Sequence, residues 1–134
     1  MDALVGLNYD KSGKTALASG SEIGATWGLA YNRKTKKLFI SSILRRHCGF
    51  GPLGIGGIYA YDVATGNVTN FADLDKTQLS GGPTPMNLTL NSGSLENNSG
   101  RGLPAASGSP SYDPLAFAGV GKTGLGDLDI SEDG

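Results

Sequence analysis

A single cysteine, Cys48, and a single histidine, His47, stand side by side in this chain of 134 residues. With one thiol, no disulfide can form within the chain. An all-β protein without disulfides fits bacterial surface or periplasmic chains as well as cytosolic ones. With one histidine, a Ser-His-Asp triad or a multi-histidine metal site would need residues from outside this sequence. Adjacency does not make His47 and Cys48 a nucleophile–base pair, because neighbouring side chains on an extended chain diverge. A loop histidine satisfied by backbone accounts for His47. Charge is scarce too: charged residues are 17% of the chain and the formal net charge is −1, so the balance favours neither nucleic acid nor an acidic membrane as partner. No apolar run approaches membrane-spanning length. The opening Met1-Asp2 has no basic n-region and the apolar run after it is broken by Gly6, so no signal peptide is visible. No segment of useful length carries a helical period.

What remains is glycine and alternating strands. Glycine occupies 22 positions, and low charge with much Gly, Ser, Asn and Thr suits extracellular all-β architecture. Residues 1–22 alternate weakly at Leu4, Leu7 and Tyr9, turn at Asp10-Lys-Ser-Gly13 and resume at Thr15-Ala-Leu-Ala18, which predicts a preceding strand pair. Residues 23–77 hold the strong pattern. Trp27–Asn32 and Lys37–Ser42 read as one hairpin, Ile58–Val63 and Asn67–Phe71 as a second. The turns Asn32-Arg-Lys-Thr-Lys36 and Asp62-Val-Ala-Thr-Gly66 supply the connections, the latter ending in a glycine suited to a left-handed position. Gly24 and Gly28 flank Trp27 and predict close backbone approach there. Leu125-Gly-Asp-Leu-Asp-Ile130 echoes the first strand, so residues 120–134 read as the truncated start of a next unit. This is the grammar of an all-β partial β-propeller: about one blade, with pieces of its neighbours. On that reading the chain is a piece of a larger protein, and its open strand edges invite self-association.

Between blade and echo lies different material. Gly, Ser, Pro and Asn fill 21 of the 32 positions from 80 to 111, and five of six prolines fall between Pro83 and Pro114. Such composition buries too little apolar surface to offset its ordering entropy. Residues 78–119 are therefore expected to form a low-complexity insert, pinned at intervals by Met86, Leu88, Leu90 and Leu103. A second irregular stretch, Arg45–Gly57, separates the two hairpins and is far longer than a hairpin loop requires, as functional loops often are. Charge is uneven around it. No carboxylate lies between Glu22 and Asp62, whereas Arg33, Lys34, Lys36, Lys37, Arg45 and Arg46 all do. Arg33 to Lys37 is a solvated turn; a nucleic-acid stripe would need more cations with interleaved aromatics.

Several motifs match in letters and fail in context. Ala116-Phe-Ala-Gly-Val-Gly-Lys-Thr123 fits a permissive P-loop pattern, but a strand is expected after its lysine where phosphate binding needs a helix. Gly49-Phe-Gly-Pro-Leu-Gly54 spells G-x-G-x-x-G, yet Ile55-Gly-Gly-Ile58 cannot continue a helix well. Asp129-Ile-Ser-Glu-Asp-Gly134 resembles the start of an EF-hand loop without the residue that would close it. Asp127, Asp129 and Asp133 are the candidate metal ligands, for calcium, and the same letters also form a turn. Trp27, Phe39, Tyr59 and Tyr61 suit packing between blades, or an aromatic platform for sugar. Asn67-Val-Thr69, Asn87-Leu-Thr89 and Asn97-Asn-Ser99 match glycosylation sequons, which matter only in a eukaryotic secretory context.

One series is specific in combination: Ile23-Gly-Ala-Thr-Trp-Gly-Leu-Ala-Tyr31, Lys37-Leu-Phe39, Arg46-His47, Gly49-Phe-Gly-Pro-Leu-Gly54, Gly57-Ile-Tyr59 and Val120 to Gly134. It resembles the propeller region of large bacterial secreted and cell-surface proteins, often joined to Ig-like B-type repeats. The resemblance covers about residues 22–74 and 117–134; Cys48 departs from it. It implies an extracellular or cell-surface propeller with no enzymatic activity to carry over.

Two functions follow. A non-catalytic binding, adhesion or scaffold module would present Arg45–Gly57 and the insert as a recognition face. Arg45, Arg46 and His47 would be its ligand-binding anchors for a glycan, a peptide or another cell-surface partner bearing carboxylates. The alternative is part of a metal-dependent lactonase- or esterase-like propeller enzyme, for which Glu22, Asp127 and Asp129 are the available carboxylates. No catalytic residue is assigned.

Overall fold

The computed structural model describes residues 1–75, 78–79, 86–87, 95, 97–105 and 108–133. The first two strands, β1 (Asp2–Leu7) and β2 (Lys14–Ser19), pair antiparallel. Their turn is set by Asp10, whose Oδ1 accepts the Ser12 amide at 2.8 Å. One helical turn follows, α1 (Gly20–Ile23), where the Glu22 carboxylate accepts the Ser19 amide at 2.8 Å.

A four-stranded antiparallel sheet comes next: β3 (Thr26–Asn32), β4 (Lys37–Ser42), β5 (Gly57–Asp62) and β6 (Val68–Asp73), each beside its neighbour in sequence. Its two hairpins use the same device. Asn32 Oδ1 accepts the amides of Lys34 and Thr35 at 2.9 and 3.0 Å. Asp62 Oδ1 does the same for Ala64 and Thr65 at 2.9 and 3.0 Å. The fifth residue of each turn, Lys36 or Gly66, is left-handed, at φ 58° and 74°. A short acceptor side chain that closes its own turn thus fixes the register of both hairpins. Two-residue strands β7 (Gln78–Leu79) and β8 (Met86–Asn87) pair with each other, and a short helix α2 (Pro114–Gly119) follows.

Strand alternation divides the buried surface. Ile40 and Tyr59 face each other in the β4–β5 register and share one sheet face with Tyr61 and Leu38. The β1–β2 hairpin covers that face, burying Leu4 and Ala18 against Ile23, Ile40, Tyr59 and Tyr61. A second cluster, Leu44, Phe50, Ile55, Leu95 and Ala116, joins the loop after β4 to Leu95 and to α2. Of the four aromatics expected to pack, Tyr59 and Tyr61 are core, Phe39 meets Phe71 edge-on with centroids 4.8 Å apart, and Trp27 is exposed.

Both glycines beside Trp27 are sites of close approach. A Cβ on Gly24 would lie 2.2 Å from the Gly51 nitrogen, and one on Gly28 would lie 2.5 Å from the Leu128 nitrogen. The second contact corrects the sequence reading of the chain's last segment. Leu125–Ile130 is not a strand. It crosses β3 and β4 as irregular backbone, with Gly126 O accepting the Ser41 hydroxyl at 2.6 Å while Ser41 Oγ accepts the Gly28 amide at 3.0 Å. Asp127 and Asp129 turn their carboxylates onto the next amides, at 2.9 and 2.7 Å, which competes with ladder formation. The insert was also expected to be anchored by Leu88 and Leu90, which lie outside the described residues, and by Met86 and Leu103. Leu103 is half-buried, and the firm anchors are Leu95, Arg101, Asp113 and Ala116.

Ile40 is fully buried at the centre of the first cluster. Ile40→Ala is expected to lower stability by about 2–5 kcal/mol, read as a shifted midpoint in urea denaturation. Val63→Ala, at an exposed turn, should move the midpoint by less than about 0.5 kcal/mol.

Candidate cationic recognition face

The stretch from Arg45 to Gly57 follows β4 and returns through a 3-10 turn, Gly54–Gly56, into β5, so it joins the two central strands at one end of the sheet. A loop this rich in glycine has little apolar surface of its own to fold around. Its conformation is imposed from residues about fifty positions later. Arg101 is only 2% exposed, Asp113 is fully buried, and their side chains form a direct ion pair. The guanidinium spends its other donors on the loop: Nη1 reaches Cys48 O and Nη2 reaches Arg45 O, each at 2.9 Å. Its plane lies over the Phe50 ring, 4.9 Å from the centroid. The carboxylate receives the His47 amide at 3.0 Å. Asn98 completes the clamp: its Oδ1 accepts the Phe50 amide at 2.7 Å and its Nδ2 donates to Phe50 O at 3.0 Å.

These bonds satisfy the polar groups that burial would otherwise penalise. Burial pushes the Asp113 carboxyl up, but the Arg101 hydrogen bonds, the His47 and Ala116 amides and the Arg101 charge outweigh it and hold the group below the usual carboxylate range. The pair is internally neutral, so Arg101 adds no charge to the surface. It fixes the backbone that carries Arg45, Arg46 and His47, all three exposed.

The three candidate anchors therefore sit together on one ordered turn. The Arg46 guanidinium lies 5.5 Å from the centre of the exposed Phe117 ring on α2. His47 is held left-handed at φ 63°, and its Nδ1 is 2.8 Å from Ser111 Oγ. Sequence reasoning satisfied this histidine through backbone; the ring's partner is instead a serine hydroxyl, and the backbone amide goes to Asp113. Tyr112 stands exposed next to that serine. The face thus combines two arginines, an imidazole and the exposed Phe117 ring. Two hollows lie beside it rather than within it. One, of about 310 Å³, lies between Pro52–Ile55 and Asn97–Asn98; the other, of about 440 Å³, flanks α2 at Leu115 and Lys122.

The other candidates do not converge. Asp127, Asp129 and Asp133 are strung along the exposed last segment, and Glu22 caps α1. Among the described residues no group of three or more His, Cys, Asp and Glu side chains is placed to hold a metal. The P-loop-like letters fall with α2 before Gly121-Lys122-Thr123 and irregular chain after it, the reverse of the order phosphate binding needs. Residues 49–54 make turns and open no helix. No described helix is long and apolar enough to cross a membrane. Arg101, Asp113 and Asn98 were missed because they lie in a segment whose composition reads as unstructured. The available signal was an isolated Arg and Asp with no other charged residue between them.

No family model matches the chain, and no solved structure matches it. Among curated proteins it is similar to Colossin-A of Dictyostelium discoideum, 34% identical over 61 residues. That stretch is 46% of this chain and a share of Colossin-A that rounds to 0%, so the chain spans a very small part of that relative's length.

Asp113→Asn keeps the shape and leaves the Arg101 charge buried without its counter-ion, which is expected to cost about 3–5 kcal/mol at neutral pH. Because folding lowers the Asp113 pKa, its stabilising contribution is present above the unfolded-state value of about 3.9. That contribution fades as pH falls through the lower folded value. Urea melts at pH 7 and pH 3 should show the gap between native protein and variant narrowing in acid.

Proposed function

We propose that the chain is a non-catalytic binding module of an extracellular or cell-surface protein, and that Arg45, Arg46 and His47 form its recognition face for an acidic glycan. The four-stranded meander β3–β6 is read as one blade of a β-propeller, the scaffold from which the loop projects. What supports this is the form of the sheet, in which each strand pairs with its sequence neighbour and the long loop leaves from one end.

The observation that carries the reading is the clamp beneath the loop. A buried ion pair with hydrogen bonds to three loop residues is costly to assemble, and it holds still a turn whose side chains point to solvent. Ordering the loop before a ligand arrives lowers the entropy lost on binding. Two exposed guanidinium groups suit carboxylates, which they can grip through two parallel hydrogen bonds. The exposed Phe117 ring beside Arg46 suits the apolar face of a sugar ring. The lactonase- or esterase-like alternative has no converging set of carboxylates in its favour among the described residues.

Polygalacturonate, a uronic-acid polymer, is the probe. It should bind in a salt-sensitive manner, because the anchors are exposed charges. The combination Arg45→Ala, Arg46→Ala and His47→Asn should weaken binding at least about tenfold; asparagine is chosen because it tolerates the left-handed backbone. Unchanged affinity in that variant, measured by titration calorimetry, refutes the recognition face. Binding of poly-L-glutamate in preference to polygalacturonate reassigns the ligand to an acidic peptide.

A further inference from the structure

We infer that two copies of this chain pair through the free edge of β3, antiparallel about a two-fold axis at Leu29. β3 is a terminal strand of the four-stranded sheet, and no described residue extends the ladder on its outer side. Free edges in soluble proteins are commonly protected by an in-strand charge, a proline, a short length or a bulge, and of these β3 has only the last. Thr26-Trp-Gly-Leu-Ala-Tyr-Asn32 has seven residues, no charge and no proline. An irregularity between Thr26 and Leu29 falls in its pairing with β4.

Its exposed side chains are large and apolar. Trp27 is 68% exposed, Leu29 50% and Tyr31 42%, while Gly28, Ala30 and Asn32 between them are buried. Alternating exposure sets the three apart from Gly28, Ala30 and Asn32, and Leu29 and Tyr31 share a face with Ile40 and Leu38, their partners in β4. The hydrophobic surface that the β1–β2 hairpin covers over β4 and β5 thus runs on, uncovered, to the sheet edge.

The sequence of β3 identifies the occupant as a second copy. Read outward from Leu29, it is self-complementary. Antiparallel pairing of two copies sets leucine against leucine, glycine against alanine, tryptophan against tyrosine and threonine against asparagine. Each size class meets its own, and the two Trp27–Tyr31 pairs lie at cross-strand distance on one face. Charge agrees. The cationic turn Arg33–Lys36 of each copy is carried toward the end of the other that holds exposed Glu22. Such an isologous contact closes on itself and stops at two copies. It makes one eight-stranded sheet from two four-stranded ones. A closed propeller ring would keep β3 near its axis, so the pairing belongs to this sheet when its edge is open. It does not rest on the recognition face, whose residues lie elsewhere.

Sedimentation equilibrium of the 134-residue chain is expected to report a monomer–dimer equilibrium, and the emission of Trp27, the sole tryptophan, should shift to the blue as concentration rises. Leu29→Lys places two ammonium groups against each other at the axis and should raise the dimer dissociation constant at least about tenfold. Leu29→Glu should do the same. Because position 29 meets itself, an equimolar mixture of the two variants should recover the dimer that neither forms alone. Far-UV circular dichroism checks that each variant remains folded, which half-exposed Leu29 permits. A native chain that is monomeric at several hundred micromolar overturns the inference. So does a dimer unaffected by Leu29→Lys, or a mixture that stays monomeric.

Discussion

The ion pair between Arg101 and Asp113 is the contact on which the irregular half of the molecule depends. The sheets are held by ladders and by apolar side chains that need no distant help. The loop after β4 has no ladder of its own, its buried Phe50 and Ile55 cluster with Leu95 and Ala116 from far along the chain, and its glycines make an ordered state entropically costly. One guanidinium makes an ion pair, donates to two carbonyls and lies over an aromatic ring, so four residues, three of them on the loop, share a single centre. Asn98 adds a reciprocal pair of bonds to Phe50 from the same stretch of sequence. A buried charge with this many partners specifies one arrangement, because every alternative leaves some of them unmet in a low dielectric.

Much of the sheet was legible in the residues. Thr26–Asn32 and Lys37–Ser42 alternate or run apolar in the way strands do, and Asn32 and Asp62 announce their turns through side chains able to accept from the backbone two and three residues on. Gly24 and Gly28 advertised close approach, and backbone does come within a Cβ of both. The last segment misled for a physical reason. Leu125–Ile130 repeats the letters of a strand, but its two aspartates bond to the next amides and Gly126 gives its carbonyl to Ser41. Pattern reports what a chain could pair with, not whether its groups are already bonded elsewhere.

The candidate site was half legible. Arg45, Arg46 and His47 stand out as cations in a long loop, and exposure is what the structure gives them. Their support could not be read, because a salt bridge between positions 101 and 113 across a Gly, Ser and Pro background carries no periodic signature. Composition argues about averages, whereas a clamp needs only two charged residues and one asparagine. A segment poor in apolar residues can therefore be firmly held at a few points while contributing little to the core.

The reach of that clamp also orders events in time. The bonds to Phe50, Cys48, Arg45 and His47 span 48 to 66 residues of sequence, and contacts of such separation form late. On a ribosome that makes the chain from its first residue, both hairpins of the sheet can close while the loop between them still lacks the partners that shape it. The cationic turn takes its form only once Asp113 has emerged, so any ligand it recognises meets a finished surface only after the segment through Asp113 has been made.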